Sequence, residues 1–229
     1  MSERVAFLGC GSWGAALSSI LAEKGIKTNF WHRDSQVIKE MEKSRKHYLL
    51  PSIEFSDSVK FFSNLNKAIE GVDTIVVAVP SQNVREVLTN AQKTISASKC
   101  IINISKGIEN NSLMTMSEVI NDVLKNKSKI VTLSGPSHAE EVIDKNPTAI
   151  VSSSKNLVLA EYVQELFSTK KFRVYTNTDI RGVEIGGSAK NVIAIAAGFC
   201  DGAGYGDNTK AALITRGLNE ISLLGKKLG

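Results

Sequence analysis

Apolar positions along the chain fall into short, β-branched runs that alternate with stretches of helical spacing. Val5 to Leu8, Lys27 to Trp31, Val59 to Phe62, Thr74 to Val79, Cys100 to Ile104, Lys129 to Leu133, Thr148 to Ser152 and Phe172 to Tyr175 read as strands. Helical spacing is found at Ala15 to Lys24, Ser35 to Met41, Leu65 to Ile69, Asn83 to Ala91, Ser112 to Asn126 and Leu157 to Phe167. The run Thr74-Ile-Val-Val-Ala-Val79 is apolar without alternation, which suits a central parallel strand covered on both faces. Strand alternating with helix in this way predicts an α/β fold, a Rossmann-type, doubly wound, mostly parallel sheet. Beyond Asp179 there is no further strand, only helical pattern interrupted by the glycine-rich turn Asp201 to Gly206. The expected organisation is a sheet domain over 1–178 and, over 179–229, part of an all-helical second domain.

The first strand runs straight into Gly9-Cys-Gly-Ser-Trp-Gly14 and then a helix. In that context Gly9 permits a tight turn, Gly11 lets the backbone approach a pyrophosphate, and Gly14 allows close packing of helix on strand. The phosphates would lie at the helix N-terminus. Dinucleotide binding is therefore the expected role of the loop. At the tip of the second strand stand His32 and Arg33, which favour NADP(H), because arginine accommodates a 2′-phosphate. Asp34 keeps NAD open, but its simpler role is the N-cap of the helix that starts at Ser35.

Ligands of open α/β sheets bind beyond the carboxyl ends of the strands. Two further strand ends carry chemistry: Ser105-Lys106-Gly107, and Ser134-Gly135-Pro-Ser137-His138 ahead of another helix N-terminus. His138 reads as a first-turn residue, since no spacing fixes a partner for acid–base work. The helix that follows Glu184 is made of small and apolar residues, with Lys190 and Asn191 set into it. Such a lysine either lays its stem on apolar surface with its head in water or is desolvated for proton transfer. The segment alone favours the first.

Composition narrows the class. With 42% hydrophobic and 22% charged residues in 229, the chain is an ordinary globular protein. Its formal charge of +5 is scattered, with no basic run, so an anionic small molecule is expected as partner and nucleic acid is not. Cys10, Cys100 and Cys200 lack CxxC spacing, which predicts a reducing, cytoplasmic setting and no metal site. Met1-Ser-Glu-Arg4 before a short apolar run is no signal-peptide core, and nothing approaches the ~18 apolar residues of a membrane span. A homodimer is an allowed assembly, dimers being the commonest.

GCGSWGAAL, the Ser105-Lys106-Gly107 turn, LSGPSHAEEV and GGSAKNVIAIAAGFCDGAGYGDNTKAALITRGLNE together resemble the NAD(P)-dependent glycerol-3-phosphate dehydrogenase family of the bacterial biosynthetic type. The resemblance spans the chain and is most specific in its last segment. It implies reversible hydride transfer between a reduced nicotinamide and dihydroxyacetone phosphate, giving sn-glycerol 3-phosphate for phospholipid synthesis. By the same resemblance Lys190 is the catalytic proton donor, with its charge tuned by partial burial, and Lys106 contacts substrate and cofactor. Gly135 and Ser137 bind substrate, and Ala139 lies beside the nicotinamide half. Ser12, Trp13, His32 and Arg33 contact the cofactor, while Asn191 orients Lys190 or substrate and Asn208-Thr209 lie near the site. The resemblance also implies a chain truncated relative to the family, without its later substrate-phosphate clamp. The apolar face of the last helix, Leu218, Ile221, Leu224 and Leu228, then has no later element to meet. Two other readings are a related β-hydroxyacid dehydrogenase and a noncatalytic dinucleotide-binding module.

Overall fold

Eight strands form one sheet whose order is the sequence pattern made physical. The computed structural model describes residues 4–125 and 129–228. Strands β1 (Arg4–Leu8), β2 (Lys27–Trp31), β3 (Val59–Phe62), β4 (Thr74–Val77), β5 (Cys100–Asn103), β6 (Lys129–Ser134), β7 (Thr148–Ser153) and β8 (Phe172–Asn177) lie in the order 3-2-1-4-5-6-7-8. Helices α1 (Ser12–Glu23), α2 (Ser35–Ser44), α3 (Leu65–Ile69), α4 (Val84–Ala91), α5 (Met116–Leu124), α6 (Ala139–Ile143) and α7 (Leu157–Phe167) connect them, and α8 (Ile180–Gly202) and α9 (Asp207–Leu228) follow. Strand order reverses beside β1, where β4 pairs on its other edge, so a crevice opens at the carboxyl ends of those two strands.

Both faces of the central strands β1, β4 and β5 are buried, as their unalternating runs require, whereas the edge strands β3 and β8 alternate buried and exposed residues. Val5 and Phe7 of β1 join one core with Leu17 and Leu21 of α1. Ala6 and Leu8 join the other, with Leu88 of α4 and Ile120 of α5. The sheet is parallel except where β7 runs antiparallel to β6.

Local chemistry moves several expected boundaries. Helix α1 starts at Ser12 rather than Ala15, which puts Gly14 inside its first turn. Helix α5 starts at Met116 rather than Ser112, because Thr115 and Glu118 form a reciprocal capping box while the Ser112 hydroxyl donates to Glu109. Lys125, in a left-handed conformation, ends α5, and the expected end at Asn126 lies outside the described residues, as do Met1 to Glu3. Asp34 caps α2 by accepting from the Gln36 N–H at 2.8 Å.

Helix α8 begins on the sheet and then leaves it. Its start is capped by Asp179, and Ile180, Glu184, Ile185 and Gly187 are buried. Farther along, Val192, Ile195 and Phe199 are exposed, and α9 packs back along α8 with Leu218, Leu224 and Leu228 also exposed. Among the described residues no helix is long and apolar enough to cross a membrane.

Candidate active site

The crevice beside β1 is shaped by a glycine at which any side chain would be strained. Gly9 has φ +114°, and a Cβ there would lie 2.7 Å from the Ala78 carbonyl oxygen at the end of β4. Gly11 is the N-cap of α1, a Cβ on it would meet open space, and the first-turn N–H groups of the helix receive no side-chain cap. An uncapped helix start with that clearance fits a pyrophosphate. The crevice encloses about 620 Å³, and Gly9, Gly11, Trp13, Gly14, His32 and Arg33 all line it. Ser12 opens α1 at its edge.

The crevice wall has a support that sequence reading missed. His47 is buried, and its Nε2 donates to the Cys10 carbonyl at 2.8 Å, while Nδ1 accepts from the N–H groups of Leu49 and Leu50 at 3.2 and 3.0 Å. Those partners fix the tautomer, with the proton on Nε2. Burial pushes the imidazole below its ordinary value, which keeps it neutral. His47 thus ties the glycine loop to the Tyr48–Leu49 wall of the crevice. Its only signal in the sequence is a histidine beside an aromatic residue, which spacing cannot interpret.

Next to the crevice lies a second cluster. Ser105 lines the crevice and Lys106 follows it, so the two sites share a strand end. Lys106 Nζ donates to the Gly135 carbonyl at 3.1 Å and to the Ser137 hydroxyl. Lys190 comes from α8 to the same place, half-buried. Burial, and after it the charge and hydrogen bond of Lys190, push the Lys106 ammonium down to about 8. Two cations are brought together here by separate elements, an arrangement suited to an anion. Burial thus disfavours the charged form of Lys106.

Other expected residues fall elsewhere. Ala139 begins α6 with its side chain in the core, 4% exposed, so only its backbone can face a ligand. Asn191 is exposed, as are Asn208 and Thr209. His138 is exposed and its Nδ1 lies 3.2 Å from Glu140. A larger groove of about 820 Å³ lies among Ser19, Pro51 and Lys170. It holds neither the glycine loop nor either lysine of the cluster, and rim charges pair off as Lys46–Glu54 and Lys145–Glu23.

Comparison with known proteins covers the whole of this fold. The family model described as NAD-dependent glycerol-3-phosphate dehydrogenase N-terminus matches residues 4–160, and its C-terminus counterpart matches residues 179–229. The chain is 50% identical over 231 residues to glycerol-3-phosphate dehydrogenase (NAD(P)+) of Bacillus velezensis, covering 99% of this chain and 67% of that protein. The protein of the same description in Clostridium perfringens is 48% identical over 228 residues, covering 99% and 69%. The crystal structure of glycerol-3-phosphate dehydrogenase from Coxiella burnetii superposes with a TM-score of 0.93 at 38% identity, covering 100% of this chain and 70% of that one. The chain thus spans about two thirds of the length of these relatives.

Proposed function

The chain belongs to the NAD-dependent glycerol-3-phosphate dehydrogenase family, and on that premise we propose that its two lysines, Lys190 and Lys106, form the reaction centre. The protein is an oxidoreductase that transfers a hydride between NAD(P)H and dihydroxyacetone phosphate, giving sn-glycerol 3-phosphate. Family membership displaces the β-hydroxyacid dehydrogenase reading. The observation that carries the site assignment is the close packing of α8 at Gly187, one turn before Lys190, against Lys106 and Ser134 beside the glycine crevice.

The crevice residues Gly9, Gly11, Ser12, Trp13 and Gly14 hold the cofactor's pyrophosphate against the start of α1. We read His32 and Arg33 as contacts to the adenosine end, with Arg33 favouring NADPH through the 2′-phosphate. Bound there, the reduced nicotinamide supplies the hydride. Lys106, with Gly135 and Ser137, orients the phosphorylated substrate, and Asn191 borders it. Ala139 borders the nicotinamide half through its backbone.

As the substrate carbonyl carbon gains the hydride, its C=O π electrons move to oxygen. The Lys190 ammonium meets that developing negative charge and gives it a proton, so an N–H bond breaks as the O–H bond forms. In oxidation the neutral amine takes the proton back. Residues 1–178 serve as the dinucleotide-binding unit in this reading, and 179–229 as part of the helical unit that brings Lys190.

The test is consumption of NADPH by the purified chain when dihydroxyacetone phosphate is added, followed by absorbance. Turnover supports the reading. Cofactor binding without turnover would favour a noncatalytic binding module.

A further inference from the structure

Glu184 is a buried carboxylate in the apolar first turns of α8, 5% exposed, and its partners are neutral donors. Its Oε1 accepts from Asn103 Nδ2 at 3.1 Å, from the Ser117 N–H at 2.9 Å and from Thr132 Oγ1 at 2.8 Å. Its Oε2 accepts from the Ser117 hydroxyl at 2.6 Å. A carboxylate leaves water at great cost unless its oxygens are satisfied, and these donors come from β5, β6 and α5. Ser117 is in the first turn of α5, so the charge also lies at the positive end of that helix. One side chain therefore fastens α8 to three other elements.

Two of those attachments lead to the lysines. Asn103 pairs in register with Thr132 on the neighbouring strand. Its Oδ1 accepts from the Ser105 N–H at 3.0 Å, one residue before Lys106. On the α8 side, Gly187 lies so near the sheet that a Cβ would come 2.6 Å from Ser134 Oγ and 4.0 Å from Lys106 Cγ. Lys190 is one further turn along the same helix.

We propose that Glu184 is a positioning residue that fixes the approach of Lys190 to Lys106 by fastening α8 to the ends of β5 and β6. The inference rests on the proposed two-lysine centre, but it has a readout that does not need turnover. Acetylation of Lys106 by acetic anhydride, followed by peptide mass spectrometry across a pH series, reports how closely Lys190 and the surrounding burial confine it. In the unaltered chain the labelling midpoint lies near pH 8, from the two causes given above. Glu184→Asp keeps the charge and shortens the reach, so α8 loses its hold and the midpoint rises toward the ordinary lysine value of 10.5. A rise of one unit lowers the labelling rate at pH 7 by roughly tenfold. Thr132→Val and Ser117→Ala each remove one donor and are expected to shift the midpoint in the same direction by less. These two carry the test if Glu184→Asp does not fold.

A folded Glu184→Asp protein with an unmoved midpoint would overturn the proposal, even if its melting temperature fell, since that is what a merely structural carboxylate would give. Unmoved midpoints in both milder variants would overturn it as well. With turnover present, kcat falls in Glu184→Asp while the KM for NADPH stays. Should the unaltered chain bind NADPH without turnover, the proposed reaction fails and the labelling profile still decides the role of Glu184.

Discussion

His47 donates from Nε2 to the carbonyl oxygen of Cys10 at 2.8 Å, so the backbone between the first two glycines of the glycine loop hangs on a side chain 37 positions away. Replacing His47 by Ala leaves that carbonyl and two backbone N–H groups without their partner. Loss of such buried hydrogen bonds costs about 1–3 kcal/mol, to be read as a lowered urea midpoint together with weaker NADPH binding.

The same histidine makes stability fall in acid. Its folded value lies below the ordinary 6.5, so the neutral form belongs to the folded state. Its contribution is fully present above about pH 6.5 and is lost as pH falls through the folded value. Urea midpoints measured from pH 8 to 5 show this limb, and His47→Gln flattens it.

Lys106 sets a limb on the alkaline side. Its cation is lost as pH rises through about 8, so kcat/KM for dihydroxyacetone phosphate declines above that pH. Lys106→Arg retains the charge and removes the decline. Lys106→Met abolishes the substrate contact yet stabilises the fold at pH 7, because a charge held against burial and a neighbouring cation is removed. After allowance for its partial exposure the gain is about 1 kcal/mol, seen as a raised melting temperature.

Local chemistry explains what was legible in the sequence. Gly9, Gly11 and Gly14 announce a tight turn and an uncapped helix start because both are set within six residues. Strand ends place Lys106 at the ligand edge for the same reason, since alternation of strand and helix fixes which end faces the crevice. Glu184 was not legible. Its donors stand 81, 67 and 52 positions away, and only the folded sheet brings Asn103, Ser117 and Thr132 to one carboxylate. The start of α5 was misread because Ser112 and Thr115 offer equivalent hydroxyls, and only the choice of Glu118 or Glu109 as partner separates them.

The proposed preference for NADPH rests on Arg33. Arg33→Gln is expected to weaken NADPH binding by roughly 10- to 100-fold, the worth of about 1.5–3 kcal/mol in a charged hydrogen bond, and to leave NADH nearly unchanged. Fluorescence titration with both nucleotides makes the comparison. An equal loss for both would contradict the 2′-phosphate contact.

Gly9→Ala sets a Cβ 2.7 Å from the Ala78 carbonyl at a φ that alanine rarely adopts. The strain costs about 1–3 kcal/mol and closes the crevice. Denaturant unfolding and NADPH titration are both expected to register it.

The central claim is that Lys190 delivers the proton, and the most direct measurement is turnover of NADPH and dihydroxyacetone phosphate by Lys190→Ala beside the unaltered chain. The account predicts kcat lower by roughly 100-fold or more, the usual effect of removing one group that meets developing charge. NADPH affinity stays within about twofold, because α8 does not line the glycine crevice in which we place the cofactor. Unchanged turnover in Lys190→Ala would contradict it.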